Sequence, residues 1–122
     1  RYSPQFSKEN LAGLLNANGI EYDFQGNSLG GQPKDPTCYD ENAVNYRKIR
    51  QKEWFQDGIA YICWRAKDKR IALLCAEEDP HECHRHNLET QELLERGIKV
   101  LHIRGTGDVE EASENKEQLD LF

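Results

Sequence analysis

The feature that most constrains the fold is an apolar run, Ile71–Ala76 (IALLCA), which precedes a polar helical pattern and a second apolar run. Near-continuous apolar runs of this length are typical of strands buried on both faces of a sheet. Pro80 opens the helical pattern, Gly97 closes it, and Val100–Ile103 (VLHI) has the composition of a strand. A strand, a helix and a strand within about thirty residues form a βαβ unit with parallel strands. We therefore predict an α/β fold, a three-layer α/β/α-like domain with a small, mainly parallel sheet.

The chain before this unit carries patterns for one strand and three helices. Ser7 is suited to cap a first helix that Gly19 ends, and Ile20–Phe24 alternates apolar and polar residues as a strand does. Asp40 is expected to cap a second helix. The third helix has an apolar face formed by Phe55, Ile59, Ile62, Cys63 and Ala66, and Gly58 within this pattern weakens the case for a continuous helix.

The chain has 122 residues, of which 37% are hydrophobic and 31% are charged. This length suits one domain with a modest core. Acidic residues crowd the end of the chain, where Asp108–Asp120 holds six of them against one lysine. Because such a run buries little apolar area, we expect a single domain at 1–105 and an acidic, poorly ordered tail at 106–122.

The net charge of −6 does not favour nucleic acid as a partner, since duplex binding depends on basic residues placed against phosphates. The two basic stretches, Tyr46–Arg50 and Arg65–Arg70, are interpreted as exposed helix surface. No apolar run reaches membrane-spanning length. The four cysteines do not resemble a disulfide framework, which favours free thiols and the cytoplasm. The oligomeric state stays open.

Titratable side chains crowd into Leu73–His86, at the carboxyl end of the most buried predicted strand. Ligands collect at such strand ends, where loops meet helix N-termini. Three of the four histidines and two of the four cysteines lie within these residues. The stretch is therefore the predicted functional site, formed from Cys75, Glu77, His81, Cys83, His84, Arg85 and His86.

Each of these residues also has a structural interpretation. Cys75 and Cys83 are small enough to be buried apolar side chains, and Glu77 is suited to stabilise the start of a helix. His84 and Arg85 carry more weight, because cations near a helix N-terminus cost stability unless an anion is present. An ion pair with the neighbouring acidic residues and a bound ligand explain them equally well.

A zinc site formed by Cys75, Cys83 and His84 is a weaker alternative, because their spacing differs from the usual knuckles and adjacent residues rarely bind one ion. We therefore assign no metal ligands. His81 and His86 are interpreted as ordinary surface residues.

Two further features lie elsewhere in the chain. Arg1, Gly30 and Gly31 are candidate ligand-binding residues, because glycines permit close backbone approach and arginine binds anions. His102 lies within a predicted strand and is expected to be a hydrogen-bonded core histidine.

The motifs RYSPQFSKENL, LGG, ALLCAEEDPHECHR and VLHI follow one another in an order and spacing that resemble the family called domain of unknown function number 488. The resemblance covers most of Arg1–Gly105, and CAE followed by CHR is its most specific part. It implies a common pocket lined by Cys75, Glu77, Cys83, His84 and Arg85, with Arg1, Pro4 and the Leu29–Gly31 loop nearby. It also implies an N-terminal strand, helix and strand that this sequence lacks, so we expect a shortened chain or an incomplete sheet.

We therefore predict a small anionic or nucleotide-like ligand at Cys75–Arg85. In an enzyme, Cys75 or Glu77 would be nucleophile or base, His84 would carry the proton and Arg85 would hold the anion. A non-catalytic module that binds a ligand or zinc, or an inactive fragment, stays an alternative. The cofactor, if there is one, stays unknown.

Overall fold

The computed structural model describes residues 7–75 and 77–115. Within these ranges the chain forms five α-helices, one π-helical segment, two 3-10 turns and four short strands. In chain order the α-helices and strands are α1 (Lys8–Ala17), α2 (Gly26–Leu29), β1 (Tyr39–Asp40), β2 (Ala43–Val44), α3 (Tyr46–Arg50), α4 (Glu53–Arg65), α5 (Gln91–Glu95), β3 (Leu101–Ile103) and β4 (Val109–Glu111). The 3-10 turns are Pro36–Cys38 and Pro80–Glu82, and the π-helical segment is Arg85–Thr90.

The strands form two antiparallel pairs and no larger sheet. β1 pairs with β2, and β3 pairs with β4 so that His102 lies opposite Glu110. Among the described residues no two strands run parallel. The predicted three-layer α/β/α-like domain with a mainly parallel sheet is therefore wrong.

The apolar run that suggested the parallel sheet pairs with no strand among the described residues. Ile71–Cys75 forms neither helix nor strand, and the side chains of Ile71 and Leu74 are 39% and 67% exposed. β3 does form within the predicted Val100–Ile103, but it pairs with the next strand through a tight turn at Gly107 (φ 91°). Closing a short hairpin costs less chain entropy than closing a long crossover. The predicted strand at Ile20–Phe24 is likewise absent from the described structure.

The helix ends follow the capping residues better than the strands follow their pattern. The Ser7 hydroxyl accepts a hydrogen bond from the backbone of α1 at 3.3 Å, which confirms it as the cap. Gly19 (φ 76°) and Gly97 (φ 80°) end α1 and α5 in the left-handed conformation, as predicted. Asp40 lies in β1 instead of capping a helix, and Asn45 caps α3.

Helix α4 lies at the centre of the hydrophobic core. Its predicted apolar face is largely confirmed, since Phe55, Ile59 and Ile62 are buried. Gly58 lies within the continuous helix α4. A Cβ atom at this position would lie 2.9 Å from the Leu29 side chain, so a residue without a Cβ lets α2 pack closely against α4. The core consists of Leu29, Cys38, Ile49, Phe55, Ile59, Ile62, Leu88 and Leu93. Burial of each large aliphatic or aromatic side chain stabilises the fold by about 1.5 to 3 kcal/mol.

The predicted acidic tail contributes to the folded part of the chain. β4 and the buried Ala112 lie within 106–122, and the end of this range lies outside the described residues. The division at residue 105 therefore stays a prediction. Over the described ranges no helix has both the length and the apolarity needed to cross a lipid bilayer.

Candidate functional site

A surface pocket of about 430 Å³ brings together three separate stretches of chain. The loop after α2 forms one wall, and Val44 of β2 with Tyr46 of α3 forms another. The third wall comes from residues 75–84, and it carries most of the polar groups. Five residues predicted from the sequence line this one pocket, namely Gly31, Cys75, Glu77, Cys83 and His84.

A 3-10 turn positions the thiol and the imidazole at the pocket. The Asp79 carboxylate accepts a hydrogen bond from the backbone N–H of His81 at 3.0 Å, and the buried Pro80 begins the turn. Cys83 follows in an extended conformation, and its Sγ accepts a hydrogen bond from the backbone N–H of Arg85 at 3.2 Å. The thiol thus satisfies one of the free N–H groups at the start of the π-helical segment.

Two thiols adjoin each other in this pocket. Cys83 is 5% exposed, whereas Cys75 is half-buried and donates a hydrogen bond to the Glu77 carbonyl oxygen at 3.8 Å. Burial raises the pKa of Cys83 to about 11, and a hydrogen bond with Cys75 adds to the effect. Cys83 is therefore a protonated thiol at neutral pH, in contact with a more accessible one.

The His84 imidazole lies between the thiols and the protein interior. Its Nδ1 is 3.8 Å from the Sγ of Cys83. The ring packs against Gly31, where a Cβ atom would lie 2.6 Å from Nδ1, so only glycine leaves room for it. Burial lowers the pKa of His84, and the charge of Arg85 lowers it further. The imidazole is therefore neutral at pH 7 and able to accept a proton.

A buried carboxyl group lies behind His84. Glu89 Oε1 is 3.8 Å from His84 Nε2, while the buried Oε2 has no hydrogen-bond partner among the residues that the structure describes. Burial raises the pKa of Glu89 to about 8. The two residues are five apart, a spacing that a π-helix aligns on one face and an α-helix does not. Glu89 was not predicted from the sequence, because α-helical periodicity does not place it beside His84.

Two of the predicted site residues that the structure describes, Arg85 and Gly30, do not line the pocket. The Arg85 guanidinium donates a hydrogen bond to the Glu78 carbonyl oxygen at 3.2 Å and is not part of the lining. A Cβ atom on Gly30 would lie 2.5 Å from the Gly26 carbonyl oxygen, so this glycine serves the packing of the chain on itself. Arg1 lies outside the described residues. A ligand-binding role for each stays a prediction.

The acidic neighbours pair with a different arginine from the one expected. The Glu78 carboxylate accepts hydrogen bonds from Arg104 at 3.0 and 3.2 Å and from the Gly105 backbone N–H at 2.6 Å. These bonds lower the pKa of Glu78 to about 2. The Glu78 carboxylate therefore connects the loop that carries the site to the end of β3. The Arg85 guanidinium instead donates its hydrogen bond to the Glu78 backbone carbonyl oxygen.

The remaining histidines form a separate cluster. His86 is 2% exposed, so its assignment to the surface is wrong, and its Nδ1 is 2.9 Å from His102 Nε2. His102 is buried and hydrogen-bonded, which confirms the prediction. His81 is exposed as predicted, and its ring centroid lies 4.4 Å from that of His86. This cluster explains two of the four histidines by packing and hydrogen bonding alone.

The described residues hold no group of three or more His, Cys, Asp or Glu side chains placed to bind a metal ion. Cys75, Cys83 and His84 line the same pocket, but the Cys83 Sγ accepts a hydrogen bond from the Arg85 backbone N–H. The geometry therefore gives no support to the zinc alternative.

Comparison with known families gives one match. The family model described as "Domain of unknown function DUF488" matches residues 1–91, a range that includes every wall of the pocket and Glu89. No curated protein and no solved structure matches the chain. Because the model covers 91 of the 122 residues, the chain belongs to the DUF488 family of domains of unknown function.

Proposed function

We propose that the pocket binds a small molecule and that Cys75 acts on it as a nucleophile while His84 accepts a proton. One observation carries this proposal: two thiols and a neutral imidazole, from residues that a sequence motif places together, line a single open pocket. A thiol beside an imidazole is the usual pairing for nucleophilic catalysis, and here His84 Nδ1 lies 3.8 Å from the Sγ of Cys83, which lines the pocket together with Cys75. Such chemistry needs reduced thiols, in keeping with the predicted cytoplasmic location.

The roles of the two cysteines differ in this proposal. Cys83 is nearly inaccessible, its pKa is raised to about 11, and its sulfur accepts a bond from the backbone. Cys75 is half-buried at the pocket surface and donates a hydrogen bond to the Glu77 carbonyl oxygen at 3.8 Å. Cys75 is therefore the thiol that a ligand in the pocket contacts first, and Cys83 is the buried thiol next to it.

The charges of the lining bear on the choice of ligand. Of the described residues that line the pocket, Glu77 and Glu82 are acidic and none is lysine or arginine. The lining thus favours an uncharged or cationic group inside the pocket. The anionic or nucleotide-like ligand predicted from the sequence depends on Arg85, which adjoins the site but bonds to a carbonyl.

The rate of alkylation by iodoacetamide tests the proposal. In the folded protein we expect Cys75 to react at least about tenfold faster than Cys63, a half-buried helical cysteine that serves as the internal control, since only Cys75 of the two shares a pocket with the proton-accepting His84. Peptide mapping by mass spectrometry measures both sites in one sample. His84→Gln should reduce the rate at Cys75 and leave Cys63 unchanged. Equal rates at the two cysteines in the wild type would contradict a nucleophilic role.

A non-catalytic binding module is the second candidate. The Cys83 sulfur caps the π-helical segment, and a purely structural thiol pair would explain this bond equally well. In that case alkylation of Cys75 would not depend on His84. The same experiment therefore separates the two candidates.

A further inference from the structure

The contact between Cys75 and Cys83 supports a more specific reaction than nucleophilic attack alone. The two thiols come from opposite sides of the turn at Pro80–Glu82 and line the same pocket, close enough for Cys75 to raise the pKa of the Cys83 thiol. One is accessible and one is buried, with an imidazole 3.8 Å from the buried sulfur. An accessible thiol that attacks and a buried thiol that resolves are the two parts required for thiol–disulfide exchange.

We infer that Cys75 and Cys83 form a reversible disulfide by exchange with a small neutral or cationic disulfide bound in the pocket. This inference rests on the proposed function, because it assigns a substrate class to the same nucleophile. It also assigns Cys83 a chemical role, which neither the family match nor the proposal for Cys75 requires.

The reaction balances without any group beyond the substrate. Cys75 gives its proton to His84, its thiolate attacks one sulfur of the substrate disulfide, the substrate S–S bond breaks, and the first thiolate leaves with the proton from His84. Cys83 then transfers its proton to Nδ1 of His84 and attacks the Cys75 sulfur. The bond between Cys75 and Cys83 forms, and the second thiolate leaves with the proton from His84. The protein dithiol loses two electrons, and the substrate is reduced to two thiols.

The surroundings of His84 suit this transfer. The low pKa of His84 keeps the ring neutral, so a lone pair is available at neutral pH. Its other nitrogen, Nε2, faces the buried Glu89 carboxyl group at 3.8 Å. When the ring gains a proton, the Glu89 carboxyl group lies close enough to stabilise the positive charge. The resolving thiol thus has an acceptor on the side away from solvent.

Cystamine, a small disulfide with two amino groups, is a suitable probe, because Glu77 and Glu82 line the pocket. We expect cystamine to remove two of the four free thiols and to leave a Cys75–Cys83 disulfide in the peptide map. Cys83→Ser should stop the reaction at a stable mixed disulfide on Cys75. Cys75→Ser should prevent both products, and the matched variant Cys63→Ser should behave as the wild type. The negatively charged glutathione disulfide should react more slowly than cystamine.

The outcomes separate this inference from the proposed function. If Cys75 is alkylated rapidly by iodoacetamide but cystamine yields no bond to Cys83, the exchange reaction is refuted and the nucleophile stands. If Cys75 reacts with neither reagent, both are refuted. If Cys83→Ser loses the cooperative unfolding transition, Cys83→Ala is used to trap the mixed disulfide, and its absence in a folded variant overturns the inference.

Discussion

The buried carboxyl group of Glu89 makes the stability of this protein depend on pH in a way that one substitution should remove. The side chain is 4% exposed, and its pKa is raised from 4.5 to about 8 by burial. Between these values the unfolded chain releases a proton that the folded chain retains, so stability falls as pH rises. Since one pKa unit corresponds to about 1.4 kcal/mol, this group removes about 3 kcal/mol between about pH 5 and pH 8.

Glu89→Gln replaces the ionisable group with a neutral one of the same shape. The quantity to compare is the free energy of unfolding of the variant minus that of the wild type, measured in urea. We expect this difference to be about 3 kcal/mol larger at about pH 8 than at about pH 5. The variant Glu53→Gln, which removes an exposed carboxylate at the start of α4, controls for the change in net charge. Parallel pH profiles for Glu89→Gln and the wild type would refute the reasoning.

Two further predictions concern the packing around the site. Gly31→Ala should displace the His84 ring, because the new Cβ would lie 2.6 Å from Nδ1, and it should therefore slow alkylation of Cys75. The control Gly13→Ala adds a Cβ that meets no atom within 4 Å. This control should stabilise α1 by about 0.5 to 1 kcal/mol and leave alkylation unchanged. The imidazoles of His86 and His102 should both titrate below pH 6.5 in NMR spectra, because burial lowers the pKa of each; midpoints above 6.5 for both would contradict the buried pair.

The candidate site could be predicted from the sequence because its chemistry is local. Cys75, Glu77, Cys83 and His84 lie within ten residues, and a turn opened by proline keeps such residues together whatever sheet they adjoin. The Gly31 wall was predicted from the close backbone approach that glycines permit, and the resemblance to the family implied that the Leu29–Gly31 loop lies near the pocket.

The fold could not be predicted to the same depth because strand pairing is not local. An apolar run such as Ile71–Cys75 records that a segment avoids water, but it does not identify a partner strand, and here β3 pairs with β4. The position of Glu89 beside the site could not be predicted for a different reason. Its alignment with His84 depends on a π-helical turn, and no residue type in the sequence predicts that change from the α-helical period.

The central claim is that Cys75 and Cys83 share one pocket as neighbouring thiols. Dibromobimane tests it directly, because the reagent becomes fluorescent when it bridges two thiols that lie close together. We predict that the wild type and Cys63→Ser develop equal fluorescence, and that Cys75→Ser and Cys83→Ser each lose it. Fluorescence that persists in Cys83→Ser, or that disappears in Cys63→Ser, would contradict the claim.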